Sequence, residues 1–157
     1  VNGGLDLMAF IAFVMLVAGG YANVLNTSGA VVHLVNDTAA MMEGASLVVS
    51  AIVLLAIGLV ITMGIGTSFG TIPVVAAIYV PLAQQLGFSK SAIILLIGIA
   101  AALGDAGSPA SDSTMGPTSG LNADGQHDHI MDTCVPTFIA FDVFLVIGGV
   151  IGSVLLS

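Results

Sequence analysis

One lysine and no arginine occur in 157 residues, against nine acids and three histidines. Tryptophan is absent, cysteine occurs once, and only 6% of residues are charged. A soluble domain carries about a quarter charged residues, so a water-soluble globular protein is excluded. Nucleic acid and anionic lipid surfaces both call for Lys/Arg clusters, and their absence argues against either as a partner. The positive-inside rule has no purchase either, because Lys90 alone cannot orient a chain. A single Cys134 rules out an intrachain disulfide and reads as a small apolar packing residue. No early run has the basic region and small-residue cleavage site of a signal peptide, and the first residue is Val1. The expectation is a fragment or a processed piece.

What is present is apolar: 57% hydrophobic residues and a mean hydropathy of +1.16. Roughly 20 such residues cross a bilayer, so the expected fold class is all-α, a polytopic protein embedded in membrane lipid. Its net charge of −8 suits the handling of cations better than anions. The pattern divides one transmembrane domain, 1–157, into a span at 5–21, with Asp6 at its interfacial edge, and a polar turn at 23–28. A weakly amphipathic interfacial helix follows at 29–44, where Val31, Val32, Leu34 and Val35 lie near one another. Next come a helical hairpin over 47–86, a broken helix over 90–134 and a last span over 135–156.

The hairpin is inferred from its tip. Residues 64–71 hold three glycines and three hydroxyl residues, a composition that a mid-span helix does not carry without cost. With no charge there to mark water, and a second arm bearing Pro73 and Pro81, the segment reads as re-entrant. An ordinary loop between two spans is the alternative. Thr67, Ser68 and Thr71 offer hydroxyl and freed carbonyl oxygens, the ligands that hard cations prefer. Equally, the glycines can serve close packing and the hydroxyls can bond back to their own helix.

Residues 104–119, GDAGSPASDSTMGPTS, form a polar island in the apolar chain. Asp105, Asp112, Ser108, Ser111, Ser113 and Thr114 supply oxygens, and Pro109 and Pro117 free carbonyls by deleting donors. Polar, irregular backbone at membrane depth is tolerated where it lines a cavity. Residues 92–103 rise only about 18 Å, short of a core about 30 Å thick. A helix unwound over 104–120 and holding a cation is therefore expected, with a solvated loop as the alternative. Residues 121–133 are expected to resume the helix, ended by Pro136. Asp124, Asp128 and Asp132 would then stand at i, i+4 and i+8 as one carboxylate stripe, whose like charges repel unless wet, protonated or neutralised. His127 and His129, imidazoles able to take up and release a proton, suit proton traffic. With Asp128 and Asp132 they could instead hold zinc, although the spacing matches no strong zinc pattern. Asp142 lies inside the last span, and an intramembrane acid is a functional hypothesis by default.

The pairing of GTSFGT (66–71) with GDAGSPASDST (104–114), followed by DGQHDHIMDT (124–133), resembles the NhaC-type sodium/proton antiporter family of the ion transporter superfamily. The nearest branch is described variously as antiporters or amino-acid permeases. Members are longer, so the likeness is to their carboxy-terminal half. The resemblance implies one half of an inverted-repeat transporter, with an interfacial helix, a re-entrant hairpin and a broken helix in each half. It also implies a sodium and substrate site half-built from Thr67, Ser68, Thr71, Asp105, Ser108, Ser111, Asp112, Ser113 and Thr114. Asp124, His127, Asp128, His129, Asp132 and Asp142 are the proton-relay candidates. Sodium would be transported or coupling ion and not a cofactor, and no other metal or cofactor is expected. The implied protein is a multi-pass homodimer of the plasma membrane, the inner membrane in bacteria. It would work by elevator-like alternating access on sodium, protons or an amino acid. The missing half would come from the rest of a longer chain, a partner polypeptide or a second copy in opposite topology.

Two readings of other classes compete with transport. An intramembrane hydrolase would use paired aspartates or a metal, but Ala102 stands where the Gly-x-Gly-Asp motif of intramembrane aspartyl proteases needs glycine. A non-catalytic membrane subunit would leave the acids without purpose.

Overall fold

The computed structural model describes residues 27–157, together with 9, 12, 13, 16, 17 and 19–24. The expected span at 5–21 falls partly, and Asp6 wholly, outside the described residues. Among the described residues from 30 onward six α-helices follow: α1 Ala30–Met41, α2 Leu47–Ile65, α3 Ser68–Gln85, α4 Lys90–Leu103, α5 Asp112–Leu121 and α6 Val135–Leu155. A π-helical turn, His129–Cys134, leads into α6. No strand occurs among the described residues, and the fold is all-α.

Each boundary has a local cause. Ser46 caps α2 by accepting from the Val49 amide at 3.4 Å, and Ser89 caps α4 by accepting from Ala92 at 3.2 Å. α2 ends at Gly66, whose φ of +75° a side chain would disfavour, and whose amide donates to the Thr62 carbonyl at 2.7 Å. Thr67 is extended and α3 begins at the next residue, so α2 and α3 reverse direction in two residues.

α4 is the centre of the bundle, with α2, α3 and α6 all packed against it. Leu54, Leu55, Val75, Tyr79, Leu96 and Leu103 fill the interior. Small residues bring the backbones together, as in membrane interfaces where packing replaces the hydrophobic drive. A Cβ on Gly58 would collide with Ala100 and would lie 2.7 Å from the Tyr79 hydroxyl, and one on Gly149 would lie 2.9 Å from Leu55. Thr62 shares its hydroxyl hydrogen between the carbonyls of Gly58 (2.8 Å) and Ala100 (2.7 Å), tying α2 to α4. The Tyr79 hydroxyl donates to the Leu54 carbonyl, tying α3 to α2.

Leu47–Ile65 and His129–Leu155 are long and apolar enough to cross a membrane. The outer side of α6 presents Phe141, Phe144, Ile147 and Ile151, a surface suited to lipid. α4, at 14 residues, rises about 21 Å and stops short of a core about 30 Å thick.

In α1, Val31 and Val35, four residues apart, are buried against α3, while Val32 and Leu34 are exposed. Two local expectations differ from the structure. The irregular stretch after α4 ends at Ser111 and not at 120, because Ser111 caps α5 at once. Residues 122–128 are not helical, and a π-turn precedes Pro136. A proline ring clashes with the carbonyl four residues back in α-geometry. The wider turn, with Val135 donating to Ile130, relieves that clash.

The Gly58 contact yields a test. In the native protein, Gly58→Val is expected to cost about 1–3 kcal/mol by overpacking and to lower the thermal unfolding midpoint in detergent. Gly64→Ala, whose added methyl meets nothing within 4 Å, should lower it not at all.

Candidate cation site at the helix break

Where α4 ends, the chain turns through 104–111 beneath the tip between α2 and α3. Two glycines make that approach possible. A Cβ on Gly104 would lie 2.7 Å from the Thr62 Cβ, and one on Gly107 would lie 2.6 Å from the Phe138 Cβ of α6. Gly66 at the tip lies against Ala110 in the same way, at 3.1 Å.

The two interruptions are joined by side chains. Ser68, first residue of α3, donates its hydroxyl to the Asp105 carboxylate. Ser111 donates to the other carboxylate oxygen at 2.6 Å. Ser113 donates to the Asp105 main-chain carbonyl at 2.8 Å, and its hydroxyl lies 2.9 Å from that of Ser111. Asp105 thus sits half-buried at the amino-terminal ends of α3 and α5, where helix dipoles favour negative charge. Each hydroxyl bonded to an ionised carboxylate is worth about 1.5–3 kcal/mol.

The other candidates hold the frame or face away. Thr71 is fully buried and its hydroxyl bonds back to the Thr67 carbonyl at 2.8 Å. Thr67 is half-buried at the start of α3 and makes no side-chain cap. Ser108 is fully buried, its hydroxyl accepting from the Ala110 amide at 3.3 Å. Thr114 locks the turn by donating to the carbonyls of Ser108 (2.5 Å) and Ser111 (3.0 Å). Asp112 is exposed in the first turn of α5 and stands apart from the Asp105 bonds. There it stabilises the helix by its charge.

The carboxylate stripe does not form, because 122–128 is not helical. Asp124 is exposed and accepts from the Gln126 amide at 3.2 Å. Asp128 caps the π-turn, accepting from Ile130 and Met131 at 2.9 Å each, and Asp132 accepts from the Asp128 amide at 2.9 Å. His127 bonds Thr133 at 2.7 Å and lies 3.9 Å from Asp132, an ion pair when the imidazole is protonated. His129 bridges Thr118 at 2.7 Å and the Pro109 carbonyl at 2.8 Å, fastening the π-turn to the break. Among the described residues no three of His, Cys, Asp and Glu converge on a metal position. Asp142 is buried within α6 with no hydrogen-bond partner for either oxygen. Beside the break, a cavity of about 260 Å³ lies between Met63, Gly107, Pro109, Cys134 and Phe138, and its walls are apolar.

Sequence reasoning missed Thr62, Thr118 and Thr133. Thr62 sits in an apolar run with no flanking signal, and the other two matter only because the π-turn folds back on α5. Among the described residues no second carboxylate bonds Asp105; its partners are serines.

In this apolar all-helical chain the α2–α3 tip and the break after α4 thus meet through one carboxylate and hydroxyls. The chain belongs to the Na+/H+ antiporter family, whose family model matches residues 1–153. It is 60% identical over 156 residues to a Bacillus subtilis protein named "Putative amino acid transporter YuiF", covering 99% of this chain and 35% of that protein. It is 54% identical over 153 residues to an uncharacterized membrane protein of Haemophilus influenzae, covering 98% of this chain and 34% of that protein. The uncharacterized membrane protein VP2115 of Vibrio parahaemolyticus gives the same identity and the same coverage. The chain therefore spans about a third of the length of these relatives. No solved structure matches it.

Ser111 both caps α5 and holds Asp105. Replacing it in Ser111→Ala removes a cap worth about 1 kcal/mol, so amide exchange in the first turn of α5 is expected to quicken about fivefold. Hydrogen–deuterium exchange of the native protein measures this.

Proposed function

We propose that this chain belongs to the carboxy-terminal half of a secondary active transporter that exchanges sodium for protons by alternating access. The observation supporting this reading is the Ser68–Asp105 bond, which joins the α2–α3 tip to the break after α4. Hydroxyl hydrogens rotate freely. Ser68 and Ser111 can therefore turn their lone pairs to a sodium ion beside the Asp105 carboxylate, supplying part of a hard-oxygen ligand set. Sodium and a proton then balance the buried negative charge in alternation, and that alternation couples their movements. Thr67, Thr71, Ser108, Ser113 and Thr114 keep the two interrupted segments in register. His127, His129 and Asp132 pass protons between water and the break, with Asp124 and Asp128 shaping their loop. In this reading α2 and α3 form a re-entrant hairpin, the remaining ligands come from an inverted first half, and the protein is a homodimer of the bacterial inner membrane. Sodium is cargo or coupling ion and no cofactor takes part.

The name borne by the Bacillus subtilis relative favours a second reading, sodium- or proton-coupled amino-acid uptake through the same site. The native protein in proteoliposomes separates the two. Antiport predicts proton movement driven by a sodium gradient with no amino acid present, and uptake predicts amino-acid accumulation under that gradient. In either case Asp105→Asn should cut flux at least about tenfold, the loss of about 1.4 kcal/mol or more of cation stabilisation. Asp112→Asn should leave most of it. Unchanged flux in both variants would sink the proposed site.

A further inference from the structure

Among the described residues, Asp142 is the one buried acid that the Asp105 cluster does not engage. It is 3% exposed, and neither carboxylate oxygen has a hydrogen-bond partner. It lies one helical turn from Phe138, against which Gly107 of the break packs, on the side of α6 toward Gly149, which meets Leu55 and Ile99. The acid therefore stands in the α2–α4–α6 interface just beneath the break.

Among the described residues no charge faces it there. α2 has no ionisable residue, and α6 has no other. α4 has Lys90 alone; the neighbouring Ser89 bonds the Leu156 carbonyl, placing that lysine at the far end of α6. On the π-turn, His129 is held by Thr118 and Pro109, Asp132 is exposed and bonded to the Asp128 amide, and Cys134 lies 3.5 Å from His129. Both oxygens of Asp105 are occupied by Ser68 and Ser111. An ionised carboxylate without water, hydrogen bond or counter-charge is strongly disfavoured. A carboxyl kept in such a place becomes ionised only when the site opens to water or a cation draws near.

We propose that Asp142 is a proton-binding site of the transport cycle, separate from the hydroxyl-held cation site at Asp105. This rests on the transport reading above and adds a second carboxyl to it. When sodium arrives at the break, the O–H bond of Asp142 breaks and the proton leaves to water, so the net charge of the buried region is unchanged. When sodium leaves, water returns the proton.

The native protein carrying Asp142→Asn provides the test. Equilibrium binding of radioactive sodium should stay within about twofold of wild type, while sodium-driven proton flux falls at least about tenfold. Asp142→Glu, which restores a carboxyl, should recover part of that flux. Asp105→Asn should instead lose sodium binding, so failure of the cation site and failure of the proton site read differently. Unchanged proton flux in Asp142→Asn overturns the proposal, and so does a parallel loss of sodium binding, which marks a packing role. Infrared difference spectra of the wild-type protein supply a readout independent of any variant. Adding sodium should remove the carbonyl band of a buried protonated carboxyl, and absence of that change also overturns the proposal.

Discussion

An interrupted helix in an apolar bundle leaves backbone groups that water cannot reach, and each must find a partner inside the protein. This chain meets that constraint with hydroxyls. Thr62 serves carbonyls of α2 and α4, Thr71 serves Thr67, Thr114 serves Ser108 and Ser111, and Ser113 serves Asp105. The choice follows from composition. With 6% charged residues and a single base, charged partners for the broken backbone are not to hand. A short hydroxyl side chain reaches the main chain at little entropic cost and brings no charge that must be desolvated.

Close packing and polar satisfaction depend on each other here. Gly104 and Gly107 let the break lie against α2 and α6, and that nearness brings Asp105 within reach of Ser68 across the tip. Larger residues at either glycine would push the break outward and part the two interrupted segments. The joint itself is light: three serines, one carboxylate and the backbone they touch. A junction made of rotatable hydroxyls can exchange partners without repacking the core, which suits a site that must bind and release. The core beneath it, built on Leu54, Leu55, Leu96 and Leu103, is fully buried and has no such freedom.

Much of the frame was legible because glycine and proline punctuate it. Gly66 ends a helix within the glycine-hydroxyl tip, and the break at Gly104 follows directly on an apolar run. What escaped were features set by tertiary contact. The early start of α5 and the outward turn of Asp112 depend on Ser111 acting as a cap while also reaching Asp105, two roles that sequence spacing does not separate. The aspartates at 124, 128 and 132 suggested a helical stripe, yet Gly125, with a φ of +75°, and the clash at Pro136 favour an open turn and a π-turn. Thr62 gave no signal at all. A threonine in an apolar helix looks the same whether it bonds its own turn or a neighbouring helix.

The shortage of basic residues bears on chemistry as well as on fold. An internal Lys or Arg beside Asp105 or Asp142 would neutralise the carboxylate permanently and leave nothing for a mobile cation to do. In place of such a partner, Asp105 has hydroxyls, which stabilise charge without cancelling it, and Asp142 has none. Two carboxyls of one chemical type therefore sit in environments of opposite character. One is ringed by hydroxyls and helix ends, and the other, among the described residues, meets neither a hydrogen-bond partner nor a counter-charge. When neighbouring titratable groups are set apart by their surroundings, each is suited to a different role. On the reading proposed, that difference lets a chain so poor in bases handle a metal cation and a proton without the two becoming interchangeable.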